Sequence, residues 1–212
     1  MAAPENRWPD VEHALAYLAK ADSLPHRAEG TAELVAHLPE SVGRVLDLGT
    51  GDGRLLDLVL TARPGSTGVG LDFNAEMLAR ARDRFAGDDR VEIAEHDLDE
   101  PLPGTDGYDV IVSSFAIHHV PDDRKQSLYG ECFDRLRPGG AFLNLEHVAS
   151  PTEALHHAFL ATLDIDPADD DPSNLLAPVE DQLQWLRAAG FTDVDCHWKW
   201  RELALLGGIR SG

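Results

Sequence analysis

Basic residues are scarce in this chain of 212 residues: 18 Lys+Arg stand against 38 Asp+Glu, a formal charge of −20. No phosphate-neutralising stripe is readily assembled from so few cations and net repulsion opposes association, so neither nucleic acid nor a membrane surface is expected as a partner. Cysteine is nearly absent. Cys132 and Cys196 form no CxxC and no metal-ligand spacing, which argues against a disulfide framework or a zinc site, and no metal is expected. Both fall in apolar segments and should pack as small hydrophobes. No apolar run approaches the ~18–20 residues that span a bilayer, and residues 1–10 lack the basic-then-apolar order of a leader, so a cytoplasmic location is expected. Hydrophobic residues at 43% and charged residues at 26% are ordinary for one globular domain.

What is present is an alternation of helical and extended patterns. Asp10 opens a helical repeat through Val11, Ala14, Leu15 and Leu18, and a second carries Ala32, Leu34, Val35 and Leu38. These two helices read as an N-terminal cap or lid over 1–42, with Trp8 and Tyr17 on it. Then Arg44 to Leu48 gives a short apolar strand ending in Gly49-Thr50-Gly51-Asp52-Gly53, followed by a helix with Leu55, Leu56, Val59 and Leu60. Strand Gly68 to Leu71, a helix capped by Asn74, strand Val91 to Ala94 and strand Tyr108 to Ser113 follow. A helix carrying Leu128, Cys132, Phe133 and Leu136 is expected to stop at Arg137-Pro138-Gly139-Gly140 before strand Ala141 to Leu145. Strands alternating with helices imply a doubly wound α/β fold with a mainly parallel sheet.

The pattern then changes. Ser150-Pro151-Thr152-Glu153 reads as a capping box with Pro at the first helical position. Asp164 to Asn174 is an acidic surface loop, and Pro178 to Gly190 brackets a last helix. Phe191 to Trp200 and Glu202 to Ile209 lie too close for a crossover and should pair antiparallel. By simple alternation Trp198 and Trp200 share a strand face with Cys196, and His197 and Lys199 share the other. The chain therefore divides into the cap at 1–42, a core at 43–147, acceptor-side helices and loop at 148–190 and a hairpin at 191–212.

The glycine turn marks a ligand site, because peptide N–H groups without a neighbouring β-carbon can approach a ligand from a helix N-terminus. Asp72 closes the second strand, where a carboxylate can accept both hydroxyls of a ribose. The turn lacks the GxGxxG of dinucleotide enzymes and has Asp47 and Asp52 beside it. Two carboxylates next to a pyrophosphate are costly, whereas they suit an ammonium and a sulfonium. The pattern favours S-adenosylmethionine over NAD.

On these residues the sequence resembles the class I S-adenosylmethionine-dependent methyltransferases, in their small-molecule branch. The likeness rests on Val45 to Gly53, Gly70-Leu71-Asp72 with Asn74 to Leu78, His96-Asp97-Leu98, Tyr108 to Val120 and Leu136 to Gly140. It implies a Rossmann-like seven-stranded sheet of order 3-2-1-4-5-7-6 with strand 7 antiparallel. It also implies that Asp47, Gly49, Thr50 and Gly51 surround the methionine part of the cofactor and that Asp72 holds the ribose. Phe73 and Met77 would pack on the adenine, Asp97 and Leu98 would meet its edge, Ser113 would lie beside the amino-acid tail, and His26 or Arg27 would meet the carboxylate.

Methyl transfer is an in-line displacement that needs alignment and a dry pocket, with a base only where the acceptor must lose a proton. His118 and His119 follow the fourth strand and are the candidate catalytic residues. Glu146 and His147 are candidate acceptor contacts. The expected activity is transfer of a methyl group to an O, N, S or C atom of a small molecule, by a monomer or homodimer. The alternatives are a cyclase or lyase using the same sulfonium, or an NAD-type oxidoreductase.

Overall fold

The computed structural model describes residues 24–104 and 107–212. The helix expected from Asp10, with Trp8 and Tyr17, lies outside them. Among the described residues the chain runs α1 (Arg27–Ala36), β1 (Arg44–Leu48), α2 (Arg54–Ala62), β2 (Thr67–Asp72), α3 (Ala75–Arg84), β3 (Val91–Glu95), β4 (Tyr108–Ser114), α4 (Asp122–Arg135), β5 (Leu136–His147), α5 (Glu153–Thr162), α6 (Val179–Ala189), β6 (Thr192–Trp200) and β7 (Leu203–Ile209). A 3-10 turn, Ile117–His119, follows β4, and another, Pro167–Asp169, follows α5.

The seven strands form one sheet of order β3-β2-β1-β4-β5-β7-β6. All pairings are parallel except those of β7, which runs antiparallel to both β5 and β6. Alternation along the strands builds two apolar layers. Leu46, Leu48, Ile111, Phe142 and Leu206 pack with Leu128, Tyr129 and Cys132 of α4 and with Leu183 and Leu186 of α6. Val45, Val110, Val112, Leu143, Leu145 and Leu205 pack on the other side with Leu34 of α1, Leu56 and Val59 of α2, and Phe159 of α5. The carboxyl ends of β1, β2 and β4 are thereby held side by side, which is where doubly wound sheets take their ligands.

Three local expectations are corrected. Thr152, not Ser150, caps α5: it is extended, its side chain accepts from the Leu155 amide, and the helix starts at Glu153. The Arg137-Pro138-Gly139-Gly140 segment is part of β5 rather than a turn before it. Helix α4 ends at Arg135, and Tyr108 pairs with Leu136 while Val110 pairs with Ala141, so the extra residues form a bulge. Asp109 pins that bulge by taking the amides of Gly43 and Arg44 at 2.8 and 2.7 Å and the Arg137 guanidinium at 2.9 Å. The third correction concerns β6, whose register shifts between Cys196 and Trp198. Cys196 packs with the α4 layer and Trp198 and Trp200 with the α1 layer. An extra residue reverses the alternation, so the tryptophans do not share a face with Cys196.

Candidate functional site

Strand β1 delivers Asp47 to the end of the sheet, and the chain then turns sharply because Gly49, Gly51 and Gly53 all have positive φ. Gly49 is required by packing as well as by conformation: a Cβ there would lie 2.2 Å from the Ala116 Cβ. Gly51, at φ +56°, has nothing within 4 Å of the position its Cβ would take. The turn thus presses on β4's exit at one glycine and presents open backbone at another.

Above this turn lies a cavity of 680 Å³, within the range of small-molecule sites. Its wall includes Arg27, Asp47, Gly49, Thr50, Gly51, Asp72, Phe73, Met77, Asp97, Leu98 and His119. The structure therefore brings most of the residues singled out from the sequence into one place. It does not bring Ser113, His118, Glu146, His147 or His26 onto that wall. The Ser113 hydroxyl donates to the Leu48 carbonyl at 2.8 Å, while Ser114 reaches the cavity. His26 stacks on Trp200 with ring centroids 4.4 Å apart.

Two carboxylates dominate the floor. Asp47 is 1% exposed; its Oδ2 accepts from the Thr50 hydroxyl at 2.6 Å, while Oδ1 is buried with no hydrogen-bond partner. Burial pushes the Asp47 carboxyl up to about 7, with the Thr50 hydroxyl pulling against it and the Asp72 charge adding to it. Asp72 takes the Gly51 amide at 2.8 Å on Oδ2 and the Asn74 amide at 2.9 Å on Oδ1. Burial raises it above the usual carboxylate range, and these amides counter that rise. An orphaned buried carboxylate oxygen needs a cation or donor from outside the chain, and each Asp72 oxygen has acceptor capacity left for a hydroxyl. This donor set fits a cationic nucleoside and does not fit a diphosphate.

At the opposite wall, Phe115 has φ +54°, an outlier for an aromatic residue, and the Arg27 guanidinium sits 4.8 Å from its ring centroid. The next turn carries the two histidines. His119 is on the cavity wall, and its Nδ1 lies 3.1 Å from the Ser173 carbonyl. Only an Nδ1–H makes that hydrogen bond, which leaves the lone pair on Nε2. Burial and the neighbouring His118 lower His119 to about 3, so it is neutral at physiological pH.

His118 stands behind it, ring centroids 3.9 Å apart, with Nδ1 2.6 Å from Glu146 Oε1. Burial drives His118 well below its ordinary value and lifts Glu146 to about 7, so the buried pair favours its neutral form with one proton between the two groups. Residues that sequence reasoning did not single out for the site include Ala28, Thr31, Leu58, His96 and Asp99. Leu58 carried a signal, being a large apolar side chain on the outer face of its helix, 38% exposed.

A methyltransferase domain model matches residues 46–142. The chain is 34% identical over 150 residues to a probable S-adenosylmethionine-dependent methyltransferase of Mycolicibacterium smegmatis, covering 68% of this chain and 54% of that one. It is 29% identical to a demethylmenaquinone methyltransferase of Clavibacter sepedonicus, covering 74% and 69%. It is 30% identical to the aclacinomycin 10-hydroxylase RdmB of Streptomyces purpurascens, covering 74% and 43%. The chain thus spans between about two fifths and about two thirds of these relatives' lengths. Its fold matches that of an O-methyltransferase family protein from Burkholderia thailandensis with a TM-score of 0.73 at 23% identity, covering 97% of this chain and 62% of that one. Sheet order, glycine turn and sequence likeness converge on the class I S-adenosylmethionine-dependent methyltransferases.

Proposed function

We propose that this chain transfers a methyl group from S-adenosylmethionine to a small-molecule acceptor in the cavity above the glycine turn. The observation that carries this reading is the pairing of the orphaned Asp47 oxygen with the end-of-strand Asp72 across Gly51. When bound, the cofactor supplies an activated methyl group on a positively charged sulfur.

In this reading Asp47, with Gly49, Thr50 and Gly51, faces the ammonium end, and Asp72 accepts the ribose hydroxyls. Phe73 and Met77 cover the adenine, Asp97 accepts from its amino group beside Leu98, and Arg27 meets the carboxylate. Ser113 acts at one remove, fixing the Leu48 carbonyl at the root of the turn. The excess of acidic residues favours a cationic ligand over an anionic one.

The acceptor lies against the apolar wall formed by Ala28, Val35, Leu58 and Phe115. Where that acceptor must lose a proton, His119 Nε2 takes it, and the Nδ1–H bond to Ser173 holds the ring in the tautomer whose lone pair is on Nε2. His118, hydrogen-bonded to Glu146, stands behind and packs against the His119 ring. Apolar walls exclude water, which raises the effect of every charge in the site.

Support for a small-molecule acceptor comes from the activities for which relatives are named, among them trans-aconitate and demethylmenaquinone methyltransferases. The hydroxylase among them means that methyl transfer itself must be measured. Two free thiols, Cys132 and Cys196, suit a reducing cytoplasm, and among the described residues no helix is long and apolar enough to cross a membrane. The deciding experiment is mass analysis of products after incubation with S-adenosylmethionine and a panel of phenols, thiols, amines and carboxylic acids. An acceptor gaining one methyl, with S-adenosylhomocysteine formed in equal amount, supports the reading. Methylthioadenosine, or consumption without methylated product, replaces it with lyase chemistry.

A further inference from the structure

Behind the cavity wall, the ends of β5, α5 and β7 meet at a carboxylate that the proposed reaction does not use. Glu202 is fully buried. Its Oε2 lies 3.0 Å from His147 Nε2, and its Oε1 lies 3.0 Å from His156 Nδ1. The other nitrogen of His156, Nε2, is 3.3 Å from Asp170 Oδ2. Each ring nitrogen of His156 thus faces a carboxylate, and an imidazole can donate to both only as a cation.

Asp170 begins a strap that runs to the histidine turn. Three residues on, the Ser173 carbonyl takes the His119 Nδ1–H bond, and the Leu175 amide donates to the His118 carbonyl at 2.9 Å. The buried Lys125 ammonium anchors the strap's far end, bonding the Leu175 carbonyl and, at 2.8 Å, Asp122. Held at Asp170 on one side and at Leu175 on the other, Ser173 has a fixed place.

We propose that Glu202, His156 and Asp170 are positioning residues for His119, the protonated His156 bridging the two carboxylates so that the 170–175 strap holds His119 with its proton on Nδ1. This rests on the reading of His119 as the proton acceptor. The charged groups around His156 are Glu202 from the β6–β7 turn, Asp170 from the strap, and His147 from β5 through their shared carboxylate. On its own helix, His157 pairs with Glu153 at 3.8 Å, and the Arg201 guanidinium donates to the Ala158 carbonyl at 3.5 Å.

Burial presses the His156 pKa down, and Glu202 followed by Asp170 more than reverses this, leaving it above its ordinary value. A cation with a raised folded-state pKa holds its contacts below that value and loses them as pH rises through it. Glu202 is buried and shared with His147, so the Asp170 contact is the one given up.

The test uses the full chain without ligand. Amide hydrogen exchange across 165–175, corrected for its intrinsic pH dependence, is measured at pH 6 and pH 9, together with the imidazole nitrogen shifts of His119. Expected in the wild type is about tenfold better protection at pH 6 than at pH 9 and an Nδ1–H tautomer at His119. Asp170→Asn, a change on a half-buried loop side chain that the fold tolerates, and Glu202→Gln should show the pH 9 level of exchange at both pH values and mixed tautomers. His157→Gln should behave as wild type. Wild-type protection that ignores pH, an Asp170→Asn variant that keeps the wild-type profile, or an Nε2–H tautomer in the wild type would overturn the proposal. Neither readout involves cofactor or acceptor, so its failure is distinct from failure of the methyl-transfer reading, which product analysis decides.

Discussion

The Gly51 amide donates to the Asp72 carboxylate at 2.8 Å, tying the turn after β1 to the end of β2 across 21 residues of sequence. That single bond sets the spacing between the two carboxylates that face the cavity, and it places Asp72 where a sugar diol can share it. Asp47, two residues before the turn, is brought close enough for Asp72 to raise its pKa.

Ionising the buried Asp47 costs stability. A carboxyl whose folded pKa is about 7 against 3.8 unfolded binds its proton more tightly when folded, so stability falls as pH rises from about 4 to about 7 and is level above that. Asp47→Asn removes the cost and should raise the melting temperature at pH 8 by about 3–6 °C while leaving it nearly unchanged at pH 4. The same variant should bind S-adenosylmethionine about 10–100-fold more weakly at pH 8. Wild-type affinity should itself decline below pH 7 as Asp47 protonates. Thermal melts and calorimetry at both pH values check the pair of effects.

The two turn glycines should respond differently to alanine. Gly49→Ala forces a Cβ to within 2.2 Å of Ala116 at φ +66° and should cost about 2 kcal/mol or more in urea unfolding. Gly51→Ala meets no atom and should cost about 1–2 kcal/mol from the left-handed backbone alone. Equal losses at the two positions would mean that the close approach at Gly49 is not what the turn requires.

His119→Ala should lower the single-turnover rate about 10²–10⁴-fold for an acceptor that must be deprotonated, with cofactor affinity unchanged. An acceptor that is already anionic should be nearly insensitive. Since His119 titrates near 3 in the free protein, the wild-type rate should show no ionisation of this group between pH 5 and 9.

Ser113→Ala should destabilise the fold by about 1 kcal/mol through the lost bond to the Leu48 carbonyl and leave S-adenosylhomocysteine affinity within about threefold. A larger affinity loss than stability loss would place the hydroxyl on the ligand.

The strand–glycine turn–helix unit and the acids at 47 and 72 were legible because local rules govern them: positive φ selects glycine, and strand alternation brings acids to the strand ends. The sheet order followed from the resemblance, and the antiparallel last pair followed from a connection too short for a crossover. What sequence could not show are departures from alternation and choices between neighbours. The bulges at Arg137–Gly140 and before Trp198 depend on partners such as Asp109 that are distant in sequence. Ser113 against Ser114, and His118 against His119, differ by one residue, and only the curvature of the β4 exit, with Phe115 in the left-handed region, decides which reaches the cavity. The Glu202 chain joins residues from positions 147 to 202, whose meeting depends on how α5 packs against the hairpin.

The most direct measurement is calorimetric titration of S-adenosylhomocysteine into the wild type and Asp72→Ala at pH 8. One site per chain, with affinity reduced about 10–100-fold in the variant by loss of hydrogen bonds to a charged acceptor, is the expected result. Absence of binding heat in the wild type, or equal affinity in the two proteins, would contradict it.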